Sequence, residues 1–278
     1  MLKKILMGLA AMLIALLLAV AINTLRQGSR QIDVPPVQPL AFDENAAAQR
    51  LAAAVRLRTI SFDGQSAASA AEFRKLHALL KKSFPRAHAV LKRETVNELS
   101  LLYAWPGSDP AAKPIMLMAH QDVVPIASGT ERDWQVDPFA GEIRDGFVWG
   151  RGAWDNKANL FAIFEAIETL AASGFKPRQT LYIAAGHDEE IGGEQGAMAI
   201  AALLQSRGVR LDFVVDEGLL ITEGILKGLD RPAALIGIAE KGYLTLALAA
   251  KARPGHSSMP PPETAIGMLS AALARLED

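Results

Sequence analysis

The sequence predicts an α/β protein with a largely parallel sheet flanked by helices, and two observations lead to this prediction. Short, continuous apolar runs of strand length recur along the chain, and segments with apolar residues at helical spacing lie between them. Unbroken apolar runs are typical of strands that are covered on both faces. Strands that alternate with helices are typical of a parallel sheet.

The composition is that of a folded protein and excludes several kinds of site. Of the 278 residues, 50% are hydrophobic and 21% are charged, and the net charge is −1. Because no block of lysine and arginine is present, no nucleic-acid partner is expected. The sequence contains no cysteine, which excludes disulfides, thiolate metal ligands and cysteine nucleophiles. Any metal site must therefore be built from His, Asp and Glu.

Residues 1–26 are predicted to be a membrane anchor or a signal segment. Ile5–Ile22 is uncharged and almost wholly aliphatic, and two lysines precede it. As a helix this run spans about 27 Å, close to the roughly 30 Å of a bilayer's apolar core. The basic start favours export of the rest of the chain. Ala19-Val20-Ala21 resembles a cleavage site, so a secreted or periplasmic protein with a cleaved signal is the alternative to an anchored one.

The next segment, residues 27–41, is predicted to be a linker. It is largely polar and contains Pro35, Pro36 and Pro39, which suits a tether between a membrane and a folded domain.

Four helices are predicted in the body of the chain. Alanine-rich segments with apolar residues at helical spacing predict helices over about Phe42–Leu57 and about Ala68–Lys82. The same spacing predicts a helix around Leu160–Leu170, closed by Gly174. It also predicts one around Ala197–Leu204, closed by Gly208.

Three apolar runs are predicted to be strands, and each ends at or just before residues that can ligate a metal. The runs and the residues that follow them are Ile115–Ala119 before His120, Thr180–Ala185 before His187-Asp188-Glu189-Glu190, and Leu211–Val215 before Asp216. Ligands of parallel sheets gather beyond the carboxyl ends of the strands. We therefore expect these residues to meet at one edge of the sheet.

Each of these motifs suggests a role in a metal centre. In His120-x-Asp122 the two side chains can point the same way, so that Asp122 orients the His120 ring and leaves its other nitrogen free for a metal. Adjacent carboxylates at Glu189 and Glu190 repel each other unless a cation is present. One can then ligate while the other acts as a base toward a metal-bound water. A solvated acidic turn is the alternative interpretation.

Two further motifs join this set. Asp155, in Gly150-Arg151-Gly152-Ala153-Trp154-Asp155-Asn156-Lys157, precedes a predicted helix and is expected at its N-cap, where it can also bridge two metal ions. Asp216 ends a strand and reads either as a ligand or as part of an ordinary acidic turn. Carboxylate oxygens with a His nitrogen suit zinc, and also manganese or cobalt. His256, between a glycine and a serine, is expected to reach a ligand.

These motifs resemble, in order and spacing, those of the dizinc family of carboxypeptidases and aminoacylases, from about Phe42 onward. Within that family the similarity is to carboxypeptidase S and the N-fatty-acyl-amino acid synthase/hydrolases. The matching runs are Ala119-His120-Gln121-Asp122-Val123-Val124-Pro125, Trp134 through Asp137-Pro138-Phe139, Gly150-Arg151-Gly152, Asp155-Asn156-Lys157, Gly186 through Gly193, Asp216-Glu217-Gly218, Glu240-Lys241-Gly242 and Gly255 through Pro261.

The resemblance implies a role for each matched residue. Asp155 would bridge two zinc ions, with His120 and Asp216 at one and Glu190 at the other. Glu189 would be the general base and Asp122 the carboxylate that orients His120. His256 would bind substrate by stabilising the oxyanion, often across a dimer. A cis peptide bond at Asp155–Asn156 is also implied.

The resemblance implies two domains as well. Residues 42–236 would form the metal-binding catalytic domain, and residues 237–278 would begin an inserted α+β lid, or dimerisation, domain. The family's second zinc takes a further His, and the substrate carboxylate an Arg, from beyond the first part of the lid. Since the sequence ends at Asp278, we expect an incomplete chain that lacks one metal ligand and is inactive by itself.

The resulting hypothesis is a zinc-dependent hydrolase that cleaves N-acyl amino acids or C-terminal peptide bonds. Two alternatives are an aminopeptidase on the same dizinc scaffold and an inactive, membrane-tethered binding fragment. A preference for blocked or free amines would separate the two enzymes.

Overall fold

The computed structural model of the protein describes residues 2–28, 32, 34–35, 38, 41–62, 67–218, 220–239, 241–256, 258–259 and 261–277. Several residues named above lie outside this part of the chain. They are Pro36 and Pro39 of the linker, Glu240, Ser257 and Pro260 of the lid motifs, and Asp278.

The N-terminal segment is one continuous helix, α1, over Leu2–Arg26. The side chains of its residues 3–26 are exposed. Its Lys3–Arg26 portion is long and apolar enough to cross a membrane by length and composition. A membrane anchor and a signal sequence both meet this criterion.

The next three helices are α2 (Glu44–Val55), α3 (Ala67–Ser83) and α4 (Pro85–Val90). Asp43 caps α2, because its carboxylate accepts the N–H of Ala46 at 3.0 Å. Helices α2 and α3 confirm the two helices that were predicted in this region. The short helix α4 begins at a proline, which is well suited to a first helical turn.

The main sheet has five strands: β1 (Lys92–Val96), β2 (Ser100–Trp105), β3 (Ile115–His120), β6 (Leu181–Gly186) and β7 (Val214–Val215). Their order across the sheet is β1-β2-β6-β3-β7. Strand β3 is parallel to both β6 and β7, whereas β2 pairs antiparallel with β1 and with β6. The α/β class is confirmed, and the sheet is mixed, with its parallel part formed by the three predicted strands.

Helices cover both faces of the sheet, and the strands alternate between the two cores. Leu101 and Tyr103 of β2 face a large core with helices α2 to α4 and α5 (Lys157–Ala172). Leu102 between them faces a smaller core under α6 (Ala197–Ser206). The period of two follows from the pleat of a strand. Helices α5 and α6 confirm the other two predicted helices.

Two small hairpin-like sheets and a last helix complete the described elements. Strands β4 (Glu142–Arg144) and β5 (Phe147–Trp149) pair antiparallel just before the Asp155 motif. Strands β8 (Ile221–Thr222) and β9 (Ala233–Ala234) pair antiparallel after β7. Helix α7 covers Ala265–Glu277, where the lid's first helix is expected.

Candidate metal centre

His120 lies at the end of β3 and is 3% exposed. Its Nδ1 lies 3.0 Å from the backbone oxygen and 3.2 Å from Oδ1 of Asp122. Because both atoms are acceptors, Nδ1 carries the proton and donates it toward Asp122. Nε2 then points away from Asp122, and it lies 2.9 Å from Oδ1 of Asp155.

Asp122 is fully buried and binds four groups from three segments. Besides the His120 ring, its Oδ2 accepts the hydroxyl of Ser61 at 2.6 Å and the N–H of Glu190 at 3.1 Å. Its Oδ1 accepts the N–H of Glu189 at 3.2 Å. Burial raises the pKa of this carboxyl, but the bonds from His120 and Ser61 outweigh burial and keep the pKa below its usual range. Asp122 therefore remains ionised and holds the two glutamates beside His120.

Asp155 lies in a tight turn between β5 and α5. The peptide bond Asp155–Asn156 is cis, as the resemblance implies. The N-cap of α5 is Asn156, so the prediction that Asp155 occupies the N-cap is wrong. The turn instead directs the exposed carboxylate of Asp155 toward the His120 ring. Gly152 permits this turn, because its φ is +78° and an added Cβ would lie 2.5 Å from Cγ1 of Val123.

The start of α5 is also fixed by Lys157, whose side chain is fully buried. Its Nζ donates to the backbone oxygens of Ala54 and Leu57 at 3.0 and 2.6 Å. Burial lowers the pKa of Lys157 to about 7. This side chain therefore joins the end of α2 to the turn that carries Asp155.

Glu189 and Glu190 follow β6 on a single turn of 3-10 helix, Glu189–Ile191. Nε2 of His120 lies 3.8 Å from Oε2 of Glu189. Burial raises the pKa of both glutamates, and neighbouring carboxylates, Asp122 and Asp155 among them, add to the effect. Each carboxylate therefore disfavours the negative charge of the others, which a cation would relieve.

The end of β7 differs from the prediction in one respect. Oε1 of Glu217 lies 3.4 Å from Nε2 of His120, and its carboxylate also accepts the side-chain N–H of Asn156. Asp216 is exposed, and its Oδ1 accepts the N–H of Glu217 at 2.9 Å. Sequence reasoning named Asp216 and missed Glu217, although the adjacent acidic pair was visible. The Ser61 hydroxyl gave no recognisable signal.

The donor atoms form two overlapping groups among the described residues. One consists of His120, Asp155 and Glu190, and the other of His120, Glu189 and Glu217. Within each group the ligand atoms lie within 4.8 Å of one another. Burial lowers the pKa of His120, but the Asp122 bond and the surrounding carboxylates outweigh it and raise the pKa to about 9. This cluster of one imidazole and four carboxylates therefore favours a positive charge, and its donor set fits a divalent metal such as zinc.

A cavity of about 690 Å³ opens beside this cluster. Its polar wall contains the carboxylates of Asp155, Asp216 and Glu217, and its apolar wall contains Trp154, Ile163 and Ile221.

The exposed His256 belongs to neither ligand group. The N–H of Ser258 points at Nδ1 of His256 from 3.3 Å, and the Ser258 hydroxyl lies 2.8 Å away. In the neutral ring Nε2 then carries the proton and can donate it.

These features define a class of protein. It has an α/β fold in which an imidazole and several carboxylates form a potential metal site beyond the carboxyl ends of the parallel strands. Residues 116–276 match the peptidase family M20/M25/M40. The chain belongs to this family.

Two curated relatives extend the similarity. The N-fatty-acyl-amino acid synthase/hydrolase PM20D1 of Mus musculus is 45% identical over 244 residues, which are 86% of this chain and 48% of that protein. Carboxypeptidase S of Saccharomyces cerevisiae is 42% identical over 243 residues, 84% of this chain and 42% of that protein. The chain spans about half the length of the curated relatives it matches.

Solved structures show the same fold at lower identity. Human carnosine dipeptidase 1 superposes with a TM-score of 0.50 at 21% identity, covering 64% of this chain and 40% of that one. The M20 metallo-carboxypeptidase Sso-CP2 of Sulfolobus solfataricus gives the same TM-score and identity, covering 64% and 38%.

Proposed function

We propose that the protein is a zinc-dependent hydrolase that cleaves the amide bond of N-acyl amino acids or the C-terminal peptide bond of small peptides. The observation that carries this proposal is the position of Glu189 and Glu190 beside His120 and Asp155. Membership of the family and the names of the relatives support it.

We assign the metal ligands from the cluster and the family. His120, Asp155, Glu190 and Asp216 would hold two zinc ions, with Asp155 shared between them, and cobalt or manganese suits the same donors. When bound, zinc supplies Lewis acidity that polarises the scissile carbonyl and lowers the pKa of water. Asp122 would keep the His120 ring oriented, since it accepts a hydrogen bond from Nδ1–H.

Glu189 would move the proton. Its carboxylate lies 3.8 Å from Nε2 of His120, and burial raises its pKa above the ordinary value, which favours uptake of a proton. As water adds to the carbonyl carbon, Glu189 accepts a proton from it. Glu189 then delivers this proton to the amide nitrogen as the C–N bond breaks, which leaves a carboxylic acid and an amine. His256, with its proton on Nε2, would stabilise the oxyanion from the lid.

The other parts of the chain have proposed roles too. Helix α1 would direct export, either as an uncleaved anchor or as a signal, so that the catalytic domain of residues 42–236 lies outside the cytoplasm. The segment from residue 237 would begin the lid, through which two copies would pair.

Substrate profiling tests the proposal. The full-length protein, loaded with zinc, should hydrolyse N-acyl amino acids and N-blocked dipeptides, and a chelator should abolish this activity. Dipeptides with a free α-amine, otherwise identical, serve as the matched comparison. A preference for the free amine would assign an aminopeptidase instead, and the failure of all these substrates would refute the proposal.

A further inference from the structure

Gln121, the residue between His120 and Asp122, is fully buried. Successive residues of an extended chain point to opposite sides, so Gln121 points away from the two side chains of the cluster. It contains a polar amide in a place where an apolar residue would be expected. A buried amide is costly unless its donors and acceptor are all satisfied.

The described contacts satisfy every polar group of this residue. The side-chain amide donates to the backbone oxygens of Leu99 at 3.0 Å and Ala185 at 2.8 Å. Its Oε1 lies 2.7 Å from Nε2 of His77. The backbone N–H donates to Gly186 at 2.8 Å, and the backbone oxygen accepts the hydroxyl of Thr59 at 2.6 Å.

His77, on α3, is itself buried and faces Arg93 on its other side. Its Nδ1 lies 3.4 Å from a guanidinium nitrogen of Arg93. Since the guanidinium is only a donor, Nδ1 is the acceptor and Nε2 carries the proton that is donated to Gln121. The contact with Arg93 therefore needs the neutral ring of His77. Burial favours this form and lowers the pKa of His77 to about 4.

These bonds connect the segments that form the candidate metal centre. Leu99 immediately precedes β2, and Ala185 lies in β6, which leads to Glu189 and Glu190. Asp122 already joins those two glutamates to the His120 side of the cluster. Gln121 makes the corresponding connection on the opposite side of the chain, one residue from each of His120 and Asp122.

We propose that Gln121, held by His77, is a positioning residue that keeps His120 and Asp122 in register with Glu189 and Glu190 and so sets the affinity for metal. The inference rests on the proposed metal centre. Neither side chain touches the metal or substrate in this proposal. They act through the backbone at the ends of β3 and β6.

The test is zinc affinity, measured in the whole protein by competition with a chromophoric chelator. Gln121→Leu removes the three side-chain bonds and should weaken zinc binding about tenfold or more. His77→Leu removes one bond and should weaken it less. Because the two side chains act together, the double variant should be no weaker than Gln121→Leu alone. Leu80→Ala, in the core on the same helix as His77, is the control for general destabilisation and should keep wild-type affinity.

Each result of the zinc-affinity measurements supports or overturns the role of Gln121. Wild-type affinity in a folded Gln121→Leu variant would overturn the proposal while leaving the metal centre intact. Equal losses in Gln121→Leu and Leu80→Ala would also overturn it, because general stability would then explain both. If Gln121→Leu does not fold, His77→Leu compared with Leu80→Ala decides between the same two outcomes. A wild-type protein that binds no zinc would refute the proposed function and this inference together.

Discussion

His120 and Asp122, at the end of β3, are 3% and 0% exposed, whereas Asp216 and Glu217, at the end of β7, are both exposed. The two sides of the cluster are therefore built differently. On the β3 side the carboxylate of Asp122 alone accepts hydrogen bonds from a hydroxyl and two backbone N–H groups. On the β7 side Asp216 accepts the N–H of its own neighbour.

The two sides of the cluster can therefore be ordered in different ways. Buried, mutually bonded groups have their orientation fixed by folding, so the β3 side presents its donors before any metal arrives. Exposed carboxylates are solvated and retain more rotamer freedom, so the β7 side would gain further order from a bound metal. Substitutions on the two sides should consequently have different effects.

The largest effect is expected from Glu189, whose backbone is held by the buried side while its side chain faces the cluster. In the full-length protein, Glu189→Gln keeps the shape but removes the proton acceptor, so turnover should fall by about 10²–10⁴-fold. Zinc content, measured by elemental analysis, should be unchanged. Glu94→Gln removes an exposed carboxylate from the pair with Arg207 and should have no effect on either quantity. Retained turnover in Glu189→Gln would contradict the role of this residue.

A second prediction disrupts the buried side directly. Asp122→Ala leaves the Ser61 hydroxyl and two backbone N–H groups without their acceptor, and it leaves the His120 ring only the backbone oxygen of residue 122. Zinc affinity should fall by about 10–100-fold, as is typical when the partner of a metal-binding His is lost. Competition with a chelator measures this, with Glu94→Ala as the control. An unchanged affinity would show that the Asp122 network does not position the ligands.

The exposed side can be tested with a matched pair of variants. The family implies Asp216 as a ligand, while the structure brings Glu217 near His120. Asp216→Asn should therefore lose about one of two zinc ions, and Glu217→Gln should retain both. Zinc stoichiometry by elemental analysis separates them. The reverse result would assign Glu217 as the ligand and Asp216 to the wall of the cavity.

The last prediction concerns pH and the buried His77. Its pKa is about 4 in the folded protein, below the ordinary value of 6.5, because burial disfavours the charged ring. Between these values the unfolded chain binds a proton that the folded chain does not. The free energy of unfolding should therefore fall as the pH decreases from about 6.5 to about 4. Urea unfolding should show a smaller fall for His77→Leu than for wild type. Identical falls would contradict the lowered pKa.

Much of the fold could be predicted because its determinants are local. The apolar runs of β3 and β6 and the helical spacing of α5 and α6 identify these elements directly. Strands β1 and β2 were not predicted. The sequence of β1, Lys92-Arg93-Glu94-Thr95-Val96, is polar, and pairing with β2 rather than an apolar run makes it a strand. Strand β2, Ser100–Trp105, is a short, buried and largely apolar run of the kind that predicts a strand, and it was missed. The third predicted strand, Leu211–Val215, is shorter in the structure and forms only at Val214–Val215.

The candidate site, too, could be predicted where sequence order is enough and could not be predicted where the folded chain decides. His120, Asp122, Glu189 and Glu190 come together because parallel strands end at one edge of a sheet, which sequence order alone can indicate. The N-cap prediction for Asp155 failed because a turn in which Asn156 is the N-cap depends on packing against Val123 and α2. The approach of Ser61 and Glu217 depends on loops that meet only in the folded chain.

Zinc stoichiometry of the purified wild-type protein is the decisive measurement for the metal centre. If the cluster around His120 is a two-metal centre, elemental analysis of the full-length protein after dialysis should find zinc bound, approaching two ions per protein molecule in the presence of added zinc. His120→Ala, which removes the imidazole shared by both ligand groups, should lose it. A wild-type protein that retains no zinc, or a His120→Ala variant that binds as much as wild type, would contradict the account.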